Sequence, residues 1–124
     1  MKLSTNEVTL IGFVGKDAEQ KQTRNQKNYT VVKLATSDSW KDKNTGEWQK
    51  RTVWHRLVGW GKISESMDSL TKGAFIQVRG SIRNYELPSK DGQPKRNVTE
   101  IVVTGFAKLD RTRRGEAVPE GVAA

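Results

Sequence analysis

The sequence has 124 residues, with 22 lysines and arginines against 14 aspartates and glutamates, a net charge of +8, one histidine and no cysteine. This length suits one domain, and the positive field of so small a body favours a polyanion such as nucleic acid as partner. The residue counts exclude disulfides, thiolate catalysis and a conventional zinc site within one chain. No signal peptide or run of about 18 apolar residues occurs, so we expect a cytoplasmic protein without membrane contact.

Five runs rich in β-branched and aromatic residues predict five strands, over residues 7–14, 29–37, 52–60, 74–87 and 97–109. Residues 16–28 have no apolar period and are interpreted as a surface connection or an extension of the first hairpin. Between the third and fourth strands, the spacing of Ile63, Met67 and Leu70 predicts a short amphipathic helix over 62–72, closed by Gly73. The order β-β-β-α-β-β predicts an all-β fold, the five-stranded OB-fold Greek-key barrel, which binds oligonucleotides and oligosaccharides.

Turn residues and composition complete this organisation. The turns at 44–46 and 91–92 contain Asn, Asp and Gly, which tolerate positive φ, so two hairpins are predicted to project from the barrel. The composition changes near Asp110, after which little can pack. We expect residues 1–109 to form the OB-fold domain and residues 110–124 a flexible tail.

Alternation along the strands predicts which side faces water. In the third strand, Trp54, Arg56, Val58 and Trp60 share one face, opposite Val53, His55 and Leu57. Because a core face does not readily accept an arginine between two tryptophans, the tryptophan face is predicted to be exposed. The fourth strand repeats the pattern. Its apolar side comprises Ala74, Ile76, Val78, Gly80 and Ile82, and its other side Gln77, Arg79, Ser81, Arg83, Tyr85 and Leu87.

Exposed aromatic rings beside fixed cations are typical of surfaces that bind unpaired bases and their phosphates. The rings predicted to stack on unpaired bases of a single-stranded nucleic acid are Trp40, Trp48, Trp54, Trp60 and Tyr85. The cations predicted to contact phosphates are Lys43, Arg56, Lys62, Lys72, Arg79 and Arg83. Stacking is expected to dominate affinity and to give little sequence preference, since every base has a π face.

Structural explanations compete with these roles. Trp40 and Trp48 are also compatible with a cross-strand pair that packs on itself, and for Trp48 the two interpretations are equal. The usual explanation of such lysines is a solvated surface, and their proximity to the aromatic residues favours phosphate contacts only somewhat. The phenylalanines lack basic neighbours of this kind and are predicted to pack in the core or under loops, at Phe13, Phe75 and Phe106.

The sequence contains no recognisable catalytic motif. The stretch GFVGKD from Gly12 departs from a phosphate-binding loop in glycine spacing and in the residue after the lysine, so Gly12 and Gly15 are predicted to serve a strand bend or a close backbone approach. His55 shares a face with apolar residues and is predicted to be a hydrogen-bonded structural or interface residue. The carboxylates form no metal-binding pattern. We expect no catalysis, no catalytic residues, no metal and no cofactor.

Five stretches in this order resemble bacterial single-stranded DNA-binding proteins. They are VTLIGFVGKDAE from Val8, ATSDSWKDKNTGEW from Ala35, TVWHRLVGWGK from Thr52, KGAFIQVRGSIR from Lys72 and DGQPKRNVTEIVV from Asp91. The resemblance covers about residues 6–109, and residues 35–62 are its most specific part.

The resemblance implies an OB-fold, assembled as a homotetramer, that coats and protects single-stranded DNA during replication, recombination and repair. It assigns family stacking positions to Trp40, Trp54 and Trp60, the last of which is commonly phenylalanine in relatives. His55 corresponds to a family position associated with subunit contact. The implied partners are therefore single-stranded DNA and further copies of the chain.

Two features depart from the family pattern. Leu87 stands where the family has an aromatic residue late in the fourth strand, so the late base contact falls to either Tyr85 or Leu87. Family members generally end in an acidic tip closing in proline and phenylalanine, whereas this sequence ends PEGVAA. We therefore expect no tail-mediated recruitment of replication and repair proteins by this chain as given.

Two other functions compete with single-strand coating. One is a primosome or recombination accessory protein that mainly holds other proteins, which the missing tip favours and the retained tryptophans disfavour. The other is RNA binding or an RNA-directed enzyme.

Overall fold

The computed structural model describes residues 3–89 and 92–110. In chain order its elements are β1 (Val8–Val14), β2 (Glu19–Gln22), β3 (Asn28–Lys41), β4 (Trp48–Trp60), α1 (Lys62–Met67), β5 (Phe75–Leu87) and β6 (Arg96–Lys108). All five predicted strands are present. The short strand β2 is additional, and it pairs antiparallel with β3 inside the polar stretch that has no apolar period.

The sheet closes on itself. Its strand order is β1-β5-β6-β4-β3-β2, and a further pairing of β1 with β3 joins the two sides. Five strands therefore form a closed barrel, with β2 outside it as an edge. The pairing of β4 with β6 is parallel, whereas the other pairings within the described residues are antiparallel. This topology confirms the predicted OB-fold barrel.

Inward-facing aliphatic side chains fill the barrel. Leu34, Leu57 and Ile76 are completely buried, and Met67 and Leu70, from α1 and the turn after it, pack against them. Asp110 ends the described chain, and its carboxylate accepts a hydrogen bond of 3.4 Å from the Phe75 N–H of β5. Residues 111–124 of the predicted tail lie outside the described residues.

The helix is shorter than predicted. It ends at Met67, and Leu70 is buried from a turn in which its N–H donates to the Met67 carbonyl. After the helix, the Leu70 carbonyl accepts a hydrogen bond of 2.9 Å from the N–H of Ala18 in the β1–β2 connection. Gly73 has the positive φ of 94° expected of a turn residue, but it lies in the turn before β5 and not at the helix end.

The β3–β4 hairpin is longer than predicted. The ladder continues to the pair Lys41 and Trp48, beyond the predicted strand ends at 37 and 52. Polar residues dominate this extension, so the hydrophobic pattern carried no signal although the main chains are paired. The predicted turn is confirmed, since Gly46 has a φ of 74° and donates to the Asp42 carbonyl.

The apolar side of β5 is only partly buried. Ile76, Val78 and Gly80 face the interior as predicted, but Ile82 is 44% exposed. Pairing with β1 stops at Val8 and Gly80. Beyond this pair, the Asn6 side chain forms hydrogen bonds with the main chain of Ile82, so no apolar residue of β1 covers this position.

In the part of the chain that the structure describes, no helix has the length and apolarity to cross a membrane.

Candidate nucleic-acid interface

Three tryptophans project from one face of β4. The β3–β4 ladder is continuous from the pair Tyr29 and Trp60 to the pair Lys41 and Trp48. Because side chains alternate along a strand, Trp48, Trp54 and Trp60 share this face, each about 20 Å from the next. The predicted common face of Trp54 and Trp60 is confirmed, and Trp48 also belongs to it.

The indole of Trp54 is held against the main chain. A Cβ at Gly15, just after β1, would overlap atoms of the six-membered ring of this indole. A Cβ at Gly12 would likewise overlap the Ala35 carbonyl oxygen, so the predicted close approach at both glycines is confirmed. Trp54 is nevertheless 59% exposed. The ring is therefore supported by the barrel and open to solvent.

Trp60 is supported by an aromatic neighbour. Its ring stacks on Tyr29, with centroids 4.7 Å apart and an interplanar angle of 29°. Both side chains are half-buried. An open cleft of about 700 Å³ adjoins this pair and is lined by Lys27, Asn28, Trp60, Gly61, Lys62 and Glu65. Sequence reasoning missed Tyr29, although antiparallel register between the second and third predicted strands places it opposite Trp60.

The tryptophan face is not exposed along its whole length. Val58, between Arg56 and Trp60, is 1% exposed, so the prediction of an exposed face is wrong at this residue. Its ladder neighbours are Val31 on β3 and Val102 on β6. Side-by-side β-branched side chains on adjacent strands cover one another and form a small apolar strip on the outside of the barrel.

A buried carboxylate joins two of the predicted phosphate-binding arginines. Arg56 Nε lies 3.2 Å from Glu100 Oε2, and Arg83 Nη2 lies 2.5 Å from Glu100 Oε1. The Glu100 side chain is 1% exposed, against 28% for Arg56 and 50% for Arg83. Sequence reasoning missed Glu100. Its signal was a single carboxylate inside the otherwise uncharged strand NVTEIVV, where burial requires a charged partner.

Tyr85 belongs to the same group. Its hydroxyl donates to Glu100 Oε2 at 3.4 Å, and the Arg83 guanidinium lies over its ring at 5.3 Å from the centroid. One face of this ring is therefore covered by a cation. Leu87 is half-buried near the end of β5, opposite Arg96. The assignment of the late base contact to Tyr85 or Leu87 stays a prediction.

The remaining predicted cations are dispersed. Arg79 is on the same side of β5 as Arg83, but it lies four residues away beside Thr9 of β1, a distance of about 13 Å along the strand. Lys62 lines the cleft beside Trp60. Lys43 lies in the turn of the β3–β4 hairpin, and Lys72 lies in the turn before β5. The structure therefore groups Arg56 with Arg83 and does not bring Arg79 or Lys72 to them.

The tip of the β3–β4 hairpin carries the indoles of Trp40 and Trp48. Trp48 is 71% exposed and Trp40 is 44% exposed. Trp40 is paired with Gln49 and Trp48 with Lys41, so the two rings lie on opposite faces of the hairpin. The alternative of a self-packing tryptophan pair is therefore wrong, because the register forbids it. Trp40 instead lies under the Arg51 guanidinium, 5.5 Å from its ring centroid.

An apolar patch lies on the outer side of β1. Phe13 is 55% exposed and Ile11 is 50% exposed, so the prediction that Phe13 packs in the core or under a loop is wrong. Phe13 packs on Phe75, with ring centroids 4.7 Å apart. It faces outward because its neighbours Gly12 and Val14 take the inward positions. Phe106 packs against the core as predicted.

His55 is hydrogen-bonded, as predicted. Its Nε2 lies 2.9 Å from Thr36 Oγ1 on the paired strand. Burial removes water from the imidazole and lowers its pKa from the usual 6.5. The residue is thus biased towards its neutral form. Its proposed place at a subunit contact stays a prediction.

The chemistry of this surface is that of binding. The described residues contain no group of three or more potential metal ligands among His, Cys, Asp and Glu. They do contain supported, partly open indoles beside two arginines on the outer side of a closed barrel. Fold and surface together define an OB-fold protein that binds single-stranded nucleic acid.

Comparison with known proteins identifies the family. The sequence model of the single-strand binding protein family matches residues 5–109. Single-stranded DNA-binding protein 1 of Xylella fastidiosa (strain 9a5c) is 34% identical, with 94% of this chain and 92% of the relative covered. The chain therefore belongs to the single-strand binding protein family, and it binds single-stranded DNA.

Solved structures agree with this assignment. The Plasmodium falciparum SSB in complex with ssDNA is similar with a TM-score of 0.75 and 29% identity, covering 89% of this chain and 99% of that one. A deletion mutant of the single-stranded DNA binding protein from Thermus aquaticus has a TM-score of 0.70 and 24% identity, covering 86% of this chain and 51% of that one. The second likeness concerns the fold alone.

Proposed function

We propose that this chain coats single-stranded DNA without sequence preference, with bases stacked on Trp48, Trp54 and Trp60 and phosphates bound by Arg56 and Arg83. The observation that carries the proposal is the alignment of three indoles on one face of β4, with the two arginines beside them. The strand would then follow β4 from the hairpin towards the cleft at Lys62. The replication, recombination and repair roles are those general to the family.

Further contacts lie at the edges of this path. At the hairpin, the DNA strand would contact Trp40 and Lys43. Beside Arg83 it would contact Tyr85. Its contacts outside the central group would be Lys72 and Arg79. We propose no catalytic step and no cofactor. Residues 1–109 act as the binding domain, and the cytoplasm, beside the nucleoid, is the proposed location.

Stacking and charge contribute differently to this binding. Each base–aromatic stack is worth about 1–3 kcal/mol by alanine substitution. Each phosphate neutralised on a single strand contributes about 0.7 to the slope of log K against log salt concentration. Loss of an indole should therefore lower affinity at every salt concentration, whereas loss of a phosphate-binding arginine should also flatten the salt dependence.

Fluorescence titration with oligothymidine tests the proposal. We expect strong quenching of tryptophan emission by the wild type, a loss of about 1–3 kcal/mol for Trp54→Ala with little change in salt slope, and a slope lower by about 0.7 for Arg56→Ala. Val53→Ala is the matched control, because it removes an exposed side chain from the opposite face of β4. Unchanged affinity in Trp54→Ala would contradict the stacking assignment.

We also propose that the chain self-associates, as a homotetramer, through the patch of Ile11 and Phe13. Exposed apolar side chains that adjoin each other are typical of protein interfaces. Sedimentation of the wild type should give the mass of four chains, and Phe13→Asp should give a smaller species. A monomeric wild type would contradict this proposal and leave the DNA-binding proposal standing.

A further inference from the structure

Glu100 is a buried acid on the DNA-binding side of a basic protein. Its strand neighbours Ile101 and Val103 belong to the core, whereas Glu100 lies on the outside of the barrel beneath Arg56, Arg83 and Tyr85. A carboxylate at a surface that attracts phosphate opposes binding by its charge. Its presence there needs another explanation.

The strand register places this carboxylate between the two arginines. Arg83 is paired directly with Glu100 in the β5–β6 ladder. The parallel pairing of Leu57 with Ile101 places Arg56 beside Glu100 on the other side. Glu100 Oε1 accepts a hydrogen bond from Arg83, and Glu100 Oε2 accepts hydrogen bonds from Arg56 and the Tyr85 hydroxyl. The acid is thus the common partner of three side chains from two strands.

Without Glu100, two guanidinium groups would lie on either side of an uncharged residue. They would repel each other, and long side chains freed from a buried anchor regain rotamers that binding must then restrict. With Glu100 in place, Arg56 uses only its Nε–H, and Arg83 only one terminal nitrogen, to donate hydrogen bonds to the carboxylate. A guanidinium is a planar fork with several donors, so each arginine retains N–H groups for a phosphate.

We propose that Glu100 is a positioning residue for DNA binding, which holds Arg56 and Arg83 in the orientation that meets the phosphates of a strand stacked along β4. This inference rests on the proposed function. Net charge alone predicts that removing a carboxylate strengthens binding to a polyanion, and positioning by Glu100 predicts the opposite. Removing this negative charge weakens binding to a polyanion.

The variant Glu100→Gln keeps the size of the side chain and removes its charge. We expect its affinity for oligothymidine to fall about tenfold, as for the loss of a charge-assisted contact, and its salt slope to fall by about 0.7 or more. The matched control is Glu86→Gln, the same change at an exposed residue of β5, which should leave affinity unchanged or slightly raise it. In an Arg56→Ala background, the further loss caused by Glu100→Gln should shrink.

Each other outcome overturns the inference. Tighter binding by a folded Glu100→Gln variant means that the carboxylate only reduces the positive charge. A lower melting temperature with unchanged affinity and salt slope means that its role is purely structural. If Glu100→Gln does not fold, Glu100→Asp keeps the charge and shortens the reach, and wild-type affinity in that variant contradicts positioning. Failure of the wild type to bind oligothymidine would instead contradict the proposed function.

Discussion

The barrel and the tip of the β3–β4 hairpin, residues 38–51, hold their aromatic rings in different ways. In the barrel, Trp54 lies against the main chain at Gly15, and Trp60 stacks on Tyr29. In the hairpin tip, Trp48 is 71% exposed. A ring that is already fixed loses little freedom when a base stacks on it, whereas a free ring must be ordered by the DNA. The barrel should therefore supply most of the affinity, and the hairpin should adapt to the strand.

Disturbing the support of Trp54 should have the largest effect. Gly15→Ala places a methyl group where the indole now lies, so the ring must move off the barrel. We expect about a tenfold loss of affinity for oligothymidine, measured by fluorescence titration. Gly105→Ala is the matched control, since a Cβ there has open space around it. Equal affinities of the two variants would show that Trp54 need not be fixed in order to bind.

The stack behind Trp60 provides a second test within the barrel. Tyr29→Leu replaces the ring by an aliphatic side chain and removes the aromatic pair. We expect a loss of about 0.5–1.5 kcal/mol in the free energy of unfolding, measured by urea denaturation. In a Trp60→Leu background the same substitution should cost less, because the partner ring is already absent. Additive effects of the two changes would show that the stack contributes nothing beyond burial.

The hairpin should respond less than the barrel. Trp48→Ala removes a stacking ring, but part of its contribution is offset by the ordering of an exposed side chain. We expect a loss of affinity below about fivefold, smaller than that for Trp54→Ala in the same titration. Lys50→Ala, at an exposed position on the same face of the hairpin, serves as a control that removes a charge and keeps the ring. A loss in Trp48→Ala as large as that in Trp54→Ala would contradict the distinction between fixed and adaptable rings.

The sequence predicted the features that depend on one strand better than those that depend on neighbouring strands. Strand alternation around Arg56 correctly placed Trp54 and Trp60 on one face, because a charged residue between aromatic ones carries a strong signal. Alternation failed at Val58, whose burial depends on valines of two other strands. It also failed to distinguish the settings of Trp40 and Trp48, which depend on the register of a polar hairpin extension.

Contacts between distant strands were the least predictable features. The grouping of Arg56 with Arg83 joins residues of β4 and β5 through Glu100 of β6, and the parallel β4–β6 pairing that brings them together follows only from barrel closure. The helix length was also overestimated. The apolar stripe reaches Leu70, but the helix ends at Met67, and the Leu70 carbonyl accepts a hydrogen bond from the Ala18 N–H of the β1–β2 connection.

His55 lies on β4 between the core of the barrel and the hairpin tip. Its protonation should change the stability of the protein, and this is the smallest of the expected effects. Burial lowers its pKa in the folded state below the 6.5 of an exposed imidazole, so the unfolded chain takes up the proton first as pH falls. The stabilising contribution of the neutral ring is therefore complete above pH 6.5 and is lost progressively as pH falls below that value towards the folded-state pKa. Urea denaturation at about pH 7.5 and about pH 5.5 should show a larger loss of stability for the wild type than for His55→Gln. Carboxylates titrate in both proteins, and this is the single histidine of the sequence, so the difference between the two losses isolates the imidazole. Equal losses would mean that His55 titrates alike in the folded and unfolded chains, and that its bond to Thr36 does not depend on a neutral ring.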